Sequence, residues 1–239
     1  MTILSLQDVS KSYGALTVTD GVSFDVAEGE ALGIIGPNGA GKSTLFNLVA
    51  GNVRADQGTI RFAGADVTRM PARARCLMGI GRSFQIPQPF GGLTVFENLL
   101  VAGTGGRGLG EREVAVDCAD ILRRTGLERR ANALAGGLPL LDRKRLELAR
   151  ALATRPRLLL LDEIAGGLTE GECASLVETI RSIHAEGVTI VWIEHVLHAL
   201  QAVAQRLLVL DFGRVIGLGE PEAIIRSPEV REVYLGIEI

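Results

Sequence analysis

The pattern of apolar and polar positions along the chain predicts a sheet of strands with helices between them. In the first quarter of the chain, short apolar segments alternate with turn residues, and three later runs are continuously apolar, as in strands buried on both faces. Helical periodicity separates these later runs, and the resulting β-α-β-α-β succession predicts an α/β fold with a doubly wound parallel sheet. The predicted strands are residues 3–9, 22–26, 31–35, 60–62, 80–84, 158–161, 188–193 and 207–210, and the helices between the last three are residues 170–186 and 196–205.

The middle of the chain has a different pattern. Between Gln85 and Ala153 the strand pattern disappears and amphipathic segments replace it, at residues 95–102, 112–125 and 144–153. We therefore predict one domain over residues 1–239, in which a helical region (85–153) is inserted into a sheet domain formed by residues 1–84 and 154–239. The glycine-rich run at residues 103–110 is expected to be a flexible surface connection inside the helical region.

Composition narrows the possible partners. The net charge is −3, and the one short basic cluster, Arg143-Lys144-Arg145, does not create the field that nucleic-acid binding needs, so no nucleic-acid partner is expected. The three cysteines are far apart and lack metal-ligand spacing, which favours reduced thiols in a cytoplasmic protein and no zinc site. We expect neither a secretory leader nor a membrane-spanning segment. A hydrophobic content of 47% fits a subunit that buries surface against partners, although a large core explains it equally well.

A glycine-rich loop gives the strongest evidence for function. The segment Gly36-Pro37-Asn38-Gly39-Ala40-Gly41-Lys42-Ser43-Thr44 lies between the predicted strand 31–35 and a helix-like segment at residues 45–50, which is the context that a phosphate-binding loop requires. Its glycines allow successive N–H groups to surround phosphates, Lys42 reaches the outer phosphates, and the Ser43 hydroxyl binds Mg²⁺. The predicted ATP-binding residues in this phosphate loop are Gly36, Asn38, Gly39, Ala40, Gly41, Lys42, Ser43 and Thr44.

Polar residues at three strand ends complete the predicted site. The run 158–161 ends in Asp162-Glu163, where Asp162 is expected to hold Mg²⁺ and Glu163 to polarise the attacking water. His195 follows another strand and is placed to contact the γ-phosphate, and the amide oxygen of Gln85 can face magnesium or water. The alternatives are a solvated acidic turn and a hydrogen-bonded histidine without a catalytic role.

Together these residues resemble the ATP-binding subunit of ABC transporters, in which the same elements occur in this order and at this spacing. The resemblance implies a P-loop NTPase core with an N-terminal antiparallel β subdomain, ATP and Mg²⁺ as cofactors, and Tyr13 stacked on adenine. Segments such as Trp192-Ile-Glu-His195 and the ending at residues 228–236 resemble the ATPases of branched-chain amino acid importers. Importers of urea or other small amides share much of this pattern.

The resemblance also implies partners and a location. The expected partners are transmembrane permease subunits, a second ABC ATPase subunit and, indirectly, a periplasmic or extracellular solute-binding protein, with the chain peripheral on the cytoplasmic face of the membrane. One rival is a soluble ABC ATPase that acts on nucleic acid, which the absence of a basic extension disfavours. Another is a nucleotide-gated regulatory subunit with little catalysis, which Glu163 disfavours and the altered signature at residues 138–142 favours.

The chain departs from the family where one subunit contacts the nucleotide of the other. Counting back from Ala149 places the Leu-Ser-Gly-Gly-Gln signature at Leu138-Pro139-Leu140-Leu141-Asp142, which lacks both glycines and the serine. We call residues 138–142 the signature segment. A competing register, residues 134–138, keeps the glycines but lengthens the link to the helix by four residues. The D-loop, Gly167-Leu168-Thr169, has threonine where aspartate is usual.

These departures lead to a hypothesis about the pair of subunits. Lys42, Glu163 and His195 act on this chain's own nucleotide and are intact, whereas the elements that reach the partner's nucleotide are altered. The hypothesis is a heterodimer in which a sibling's intact signature completes this chain's site, while the sibling's own nucleotide turns over slowly. The alternative is that this branch tolerates a divergent signature, with Arg143 or Lys144 supplying charge to the phosphate.

Overall fold

The structure is a computed structural model that describes residues 1–235; within the segment 228–236 compared above, Gly236 lies outside the described residues. The strands are Thr2–Tyr13 (β1), Leu16–Ala27 (β2), Ala31–Ile35 (β3), Gln57–Phe62 (β4), Ala65–Asp66 (β5), Ile80–Arg82 (β6), Leu158–Asp162 (β7), Thr189–Ile193 (β8), Arg206–Asp211 (β9) and Arg214–Gly219 (β10). The helices are Lys42–Ala50 (α1), Ala72–Leu77 (α2), Val95–Arg107 (α3), Glu111–Arg124 (α4), Leu140–Ala153 (α5), Glu170–Ala185 (α6), Leu197–Gln201 (α7), Pro221–Arg226 (α8) and Pro228–Leu235 (α9).

The larger sheet has six strands in the order β10-β9-β3-β8-β7-β6. The pairs from β9 to β6 are parallel, and only β10 is antiparallel to its neighbour. Strand β3 therefore lies between β9 and β8, and the loops that follow β3, β7 and β8 emerge at the same edge. The predicted α/β class and doubly wound parallel sheet are confirmed.

A second sheet is antiparallel, with the order β2-β1-β4-β5. It is built mainly from the long β1–β2 hairpin and β4, in which apolar and polar residues alternate because one face is buried and the other is exposed. The antiparallel β subdomain implied by the family resemblance is therefore present at the N-terminal end of the chain.

The two faces of the six-stranded sheet belong to two hydrophobic clusters. On one face Ile35 and Leu161 pack with the helical region and α6. On the other face Ile34 and Leu160 pack against α1 and the antiparallel sheet. Successive strand residues point to opposite faces, so strands covered on both sides are apolar at every position, which explains the continuous apolar runs in the sequence.

The helices α3, α4 and α5 lie within residues 85–153, and the exact boundaries of the helical region stay a prediction. The flexible connection expected at residues 103–110 is wrong for the first five of those eight residues, because Gly103 to Arg107 complete α3. An added Cβ at Gly106 would lie 2.5 Å from Thr154 Cγ2, and Gly103 is buried near Val114. These glycines allow α3 to pack closely against its neighbours. None of the helices within residues 1–235 has the length and apolar character required to cross a membrane.

Candidate nucleotide-hydrolysis site

The phosphate loop joins β3 to α1 and depends on glycine at two close contacts. A Cβ at Gly36 would lie 2.2 Å from the carbonyl oxygen of Leu210, and one at Gly41 would lie 2.4 Å from that of Val18. Helix α1 begins at Lys42, three residues earlier than predicted, with Gly41 as a left-handed N-cap (φ 98°). Its first turn contains no acidic residue, so the positive end of the helix dipole is available to an anion.

Lys42 directs its charge into this loop. Its side chain is buried, and Nζ donates hydrogen bonds to the carbonyl oxygens of Gly36 (2.7 Å) and Pro37 (2.9 Å). Burial lowers the pKa of Lys42, while the carboxylates of Glu163 and Asp162 act in the opposite direction. The ammonium group is therefore held by backbone carbonyls at the position where a phosphate chain would lie.

Asp162 ends β7 in an ion pair that the sequence analysis missed. Its Oδ2 is 2.8 Å from Nη2 of Arg82, and both side chains are largely buried. Nη1 of Arg82 donates to Oδ1 of Asn47 on α1 at 2.6 Å. Arg82 therefore ties Asp162 to the helix that follows the phosphate loop.

Three predicted residues meet at the carboxylate of Glu163. Nε2 of Gln85 donates to Oε2 at 2.6 Å, and Nε2 of His195 is hydrogen-bonded to Oε1 at 2.9 Å. These contacts join the segments that follow β6, β7 and β8, separated by 78 and 32 residues in sequence. The backbone of Glu163 is in the left-handed region (φ 44°), an unfavourable conformation for a residue with a Cβ that is typical of functional sites.

Two buried charges beside this carboxylate were also missed as site residues. Oε1 of Glu194 accepts from the N–H of Ala165 at 2.6 Å and Oε2 from the N–H of His195 at 3.2 Å, and burial raises the pKa of Glu194. Nζ of Lys144 donates to the carbonyl oxygens of Gln85 (2.7 Å) and Glu163 (3.3 Å). Glu194 adjoins the predicted histidine, but nothing in the sequence places Lys144 here.

The residues predicted to bind magnesium line one cavity of about 510 Å³. Ser43, Gln85 and Asp162 contribute a hydroxyl, an amide and a carboxylate group to its wall. Oxygen donors of these kinds suit Mg²⁺, which is bound through few protein ligands together with the phosphates of a nucleotide. The donor set therefore fits the ion.

Tyr13 lies at the end of β1, where it pairs with Leu16 of the hairpin. Its side chain is 49% exposed, and the Lys11 ammonium is 5.4 Å from the ring centroid. Asp56 accepts hydrogen bonds from Nζ of Lys11 (2.7 Å) and the N–H of Ser12 (2.8 Å). The ring is thus held on an ordered hairpin with a surface available for stacking.

The signature segment forms the start of α5. Pro139 is the N-cap, and Leu140 begins the helix with a 44% exposed side chain. Asp142 lies within ion-pair distance of Arg130 (3.4 Å) and Arg145 (3.8 Å), so its charge is partly neutralised. The glycines of the competing register lie in a short 3₁₀ helix, Ala135–Gly137, before α5.

The surroundings of this segment correct one alternative and locate the D-loop. Lys144 is buried against Gln85 and Glu163, so the suggestion that it supplies charge to a partner's phosphate is wrong, whereas Arg143 is exposed. In the D-loop, Gly167 has a positive φ and lies beside Leu140, Leu168 packs on the core, and Thr169 caps α6.

Comparisons with known proteins agree with this geometry. A family model described as ABC transporter matches residues 19–166. A probable branched-chain amino acid transport ATP-binding protein, LivG, from Archaeoglobus fulgidus is 36% identical over 100% of this chain and 97% of its own length. A lipopolysaccharide export system ATP-binding protein, LptB, from Haemophilus influenzae is 32% identical over 99% of this chain and 98% of its own length. The ADP conformation of MJ1267, an ATP-binding cassette of an ABC transporter, superposes with a TM-score of 0.90 at 32% identity, covering 99% of this chain and 100% of that one.

Proposed function

Since this chain belongs to the ABC transporter family of ATPases, we propose that it powers an importer for branched-chain or related amino acids. The support for this cargo is the full-length similarity to LivG together with the segments ending in His195. The sequence identity to LptB is only slightly lower than that to LivG, and it favours a second candidate function, in export. Import of urea or other small amides is a third candidate.

The cargo is tested by uptake in a strain from which this chain has been deleted. We expect uptake of labelled leucine to fall and to return with the wild-type chain but not with Glu163→Gln. Labelled urea serves as the comparison solute. Leucine uptake that is unaffected by the deletion would contradict the proposed cargo, and a selective loss of urea uptake would favour the amide importers.

The meeting of Gln85, Glu163 and His195 beside the phosphate loop is the observation that carries the proposed chemistry. The loop amides and Lys42 bind the phosphates, Glu163 accepts a proton from the attacking water, and His195 orients the carboxylate and contacts the γ-phosphate. Ser43, Gln85 and Asp162 are the residues that would hold Mg²⁺, which neutralises phosphate charge when bound.

The second part of the proposal is that two ATPase subunits close face to face around the nucleotides and that their two sites are unequal. In this chain the segment that would face the partner's nucleotide has Pro139, which lacks an N–H, and the exposed side chain of Leu140 where the family has bare backbone. The neutralisation of Asp142 by Arg130 and Arg145 supports the alternative that this branch tolerates a divergent signature.

Measuring ATP turnover by the reconstituted pair distinguishes these possibilities. If this chain's site carries the turnover, Glu163→Gln lowers it by about a hundredfold or more, because a positioned base contributes that much or more to the rate. The matched control is the corresponding substitution in the sibling subunit, which is expected to have a much smaller effect. Turnover that survives Glu163→Gln would contradict the hypothesis that the site of this chain is the faster of the two.

The permease subunits are proposed to contact the cavity edge beside Gln85. Phe84 and Phe90 are each about half exposed and Ile86 is 70% exposed, so an apolar surface lies next to a residue of the hydrolytic site. Such a surface suits a peripheral subunit on the cytoplasmic face of a membrane protein. A solute-binding protein would act only indirectly, through the permease, and no nucleic-acid partner is proposed.

A further inference from the structure

Lys144 is a buried cation at the centre of the hydrolytic site. It belongs to the basic run Arg143-Lys144-Arg145, but its side chain is 4% exposed, whereas Arg143 is exposed. Burying an ammonium group costs free energy unless hydrogen-bond acceptors and opposite charges compensate it. The position of Lys144 is therefore expected to have a specific role.

The acceptors of Lys144 come from two different strand ends. Nζ donates to the carbonyl oxygen of Gln85, three residues after β6, and to that of Glu163, immediately after β7. These are the same two residues whose side chains meet at 2.6 Å between Nε2 and Oε2. The Lys144 ammonium group therefore binds the main-chain carbonyl groups of Gln85 and Glu163, the two residues whose side chains are hydrogen-bonded to each other.

The main chain of Glu163 needs such support. Its φ of 44° is unfavourable for a residue with a side chain, and such conformations persist only where surrounding contacts impose them. The N–H of Glu163 donates to the carbonyl oxygen of Ile193 at 2.9 Å, while its own carbonyl oxygen accepts from Lys144 and, at 3.3 Å, from the N–H of Gly166. Of the three groups that contact the main chain of Glu163 here, Lys144 contributes a side chain, and Ile193 and Gly166 contribute backbone groups.

We propose that Lys144 is a positioning residue for ATP hydrolysis, which fixes the backbone of Gln85 and Glu163 so that the carboxylate of Glu163 is held toward the attacking water. The proposal rests on the role of Glu163 given under Proposed function. In this role Lys144 acts through the carbonyl groups of Gln85 and Glu163 and not by binding the nucleotide itself. It lies on α5, whose first turn contains Leu140 to Asp142 of the signature segment, so it also attaches that helix to the hydrolytic site.

The test compares the full-length chain with the variants Lys144→Met, Lys144→Arg and Arg123→Met, each assembled with its second ATPase subunit. We expect Lys144→Met to lower kcat by about tenfold or more while KM for ATP changes by less than about threefold, because a small misplacement of a reacting group mainly affects the chemical step. Arg123→Met is the matched control, since Arg123 is a cation of the same helical region and donates to Asp120 on its own helix, α4. Lys144→Arg keeps a cationic donor and is expected to recover most of the lost rate.

A second measurement separates positioning from general damage. Hydrogen exchange of the amides in residues 84–88 and 163–167 is expected to rise together in Lys144→Met and to stay unchanged in Arg123→Met. Wild-type kcat and wild-type exchange in Lys144→Met would overturn the role of Lys144, and so would an equal loss in kcat for both methionine variants. If Glu163→Gln itself keeps wild-type turnover, the role proposed for Glu163 fails first and the role of Lys144 with it.

Discussion

Arg75 is expected to be one of the most stabilising side chains outside the site. It is 1% exposed, and its guanidinium donates four hydrogen bonds to carbonyl oxygens: two near the end of α1, on Leu48 (2.6 Å) and Val49 (2.8 Å), and two on Met70 (3.0 Å) and Thr68 (3.1 Å). The cation also lies at the negative end of the α1 dipole. Burial lowers the pKa of Arg75 to about 10, because desolvation disfavours the charged form of the guanidinium.

Replacing Arg75 by leucine removes the four donors and leaves their carbonyl oxygens buried. At about 1–1.5 kcal/mol for each bond the loss is about 4–6 kcal/mol, and relief of the desolvation cost reduces it to about 3 kcal/mol. Urea unfolding followed by the fluorescence of Trp192, the one tryptophan, measures this difference. Arg73→Leu, at an exposed position of the same helix, is the control and is expected to stay within about 0.5 kcal/mol of wild type. A loss below about 1 kcal/mol for Arg75→Leu would refute the assigned contribution of these bonds.

Two further predictions concern α3 and the buried acid next to His195. Gly105→Ala is expected to stabilise the protein by about 0.5 kcal/mol through helix propensity, since no atom lies near the new Cβ. Gly106→Ala is expected to destabilise it, because the new Cβ meets Thr154. Equal thermal midpoints for the two variants would contradict this packing. Burial raises the pKa of Glu194 above its usual 4.5, so the folded state binds the proton more tightly than the unfolded state, and stability that is present in acid is lost as the pH rises through the folded pKa. Relative to Glu194→Gln, the wild-type free energy of unfolding should therefore fall as the pH rises above 4.5, and parallel pH curves would contradict this expectation.

The strands were predictable because their pattern reflects a local rule. Residues 31–35 and 158–161 are apolar throughout, as expected for strands that are covered on both faces. The predicted ends of β3 and β7 therefore lie within one residue of the observed ends. The phosphate loop was equally accessible, since its spacing is fixed by the phosphate chain that it surrounds.

The remaining features depend on contacts between distant parts of the chain. Glycine has no side chain to show periodicity, so the end of α3 was mistaken for a connection, and its helical state follows from packing on Thr154. Lys144 in a run of three basic residues has the pattern of a solvated surface, and its burial depends on contacts with groups distant in sequence, including carbonyl groups 59 and 19 residues away. The pairing of Arg82 with Asp162 spans 80 residues and leaves no local pattern.

The ion pair between Arg82 and Asp162 has a consequence for the order in which ligands enter. Within residues 1–235, no three acidic, histidine or cysteine side chains come together in a way that could hold a metal ion, and the carboxylate of Asp162 already carries a cationic neighbour at 2.8 Å. The protein surface by itself therefore offers a divalent cation little net negative charge. Most of the electrostatic attraction that holds the cation must therefore come from the triphosphate. We expect the cation and the nucleotide to enter as one complex rather than one after the other.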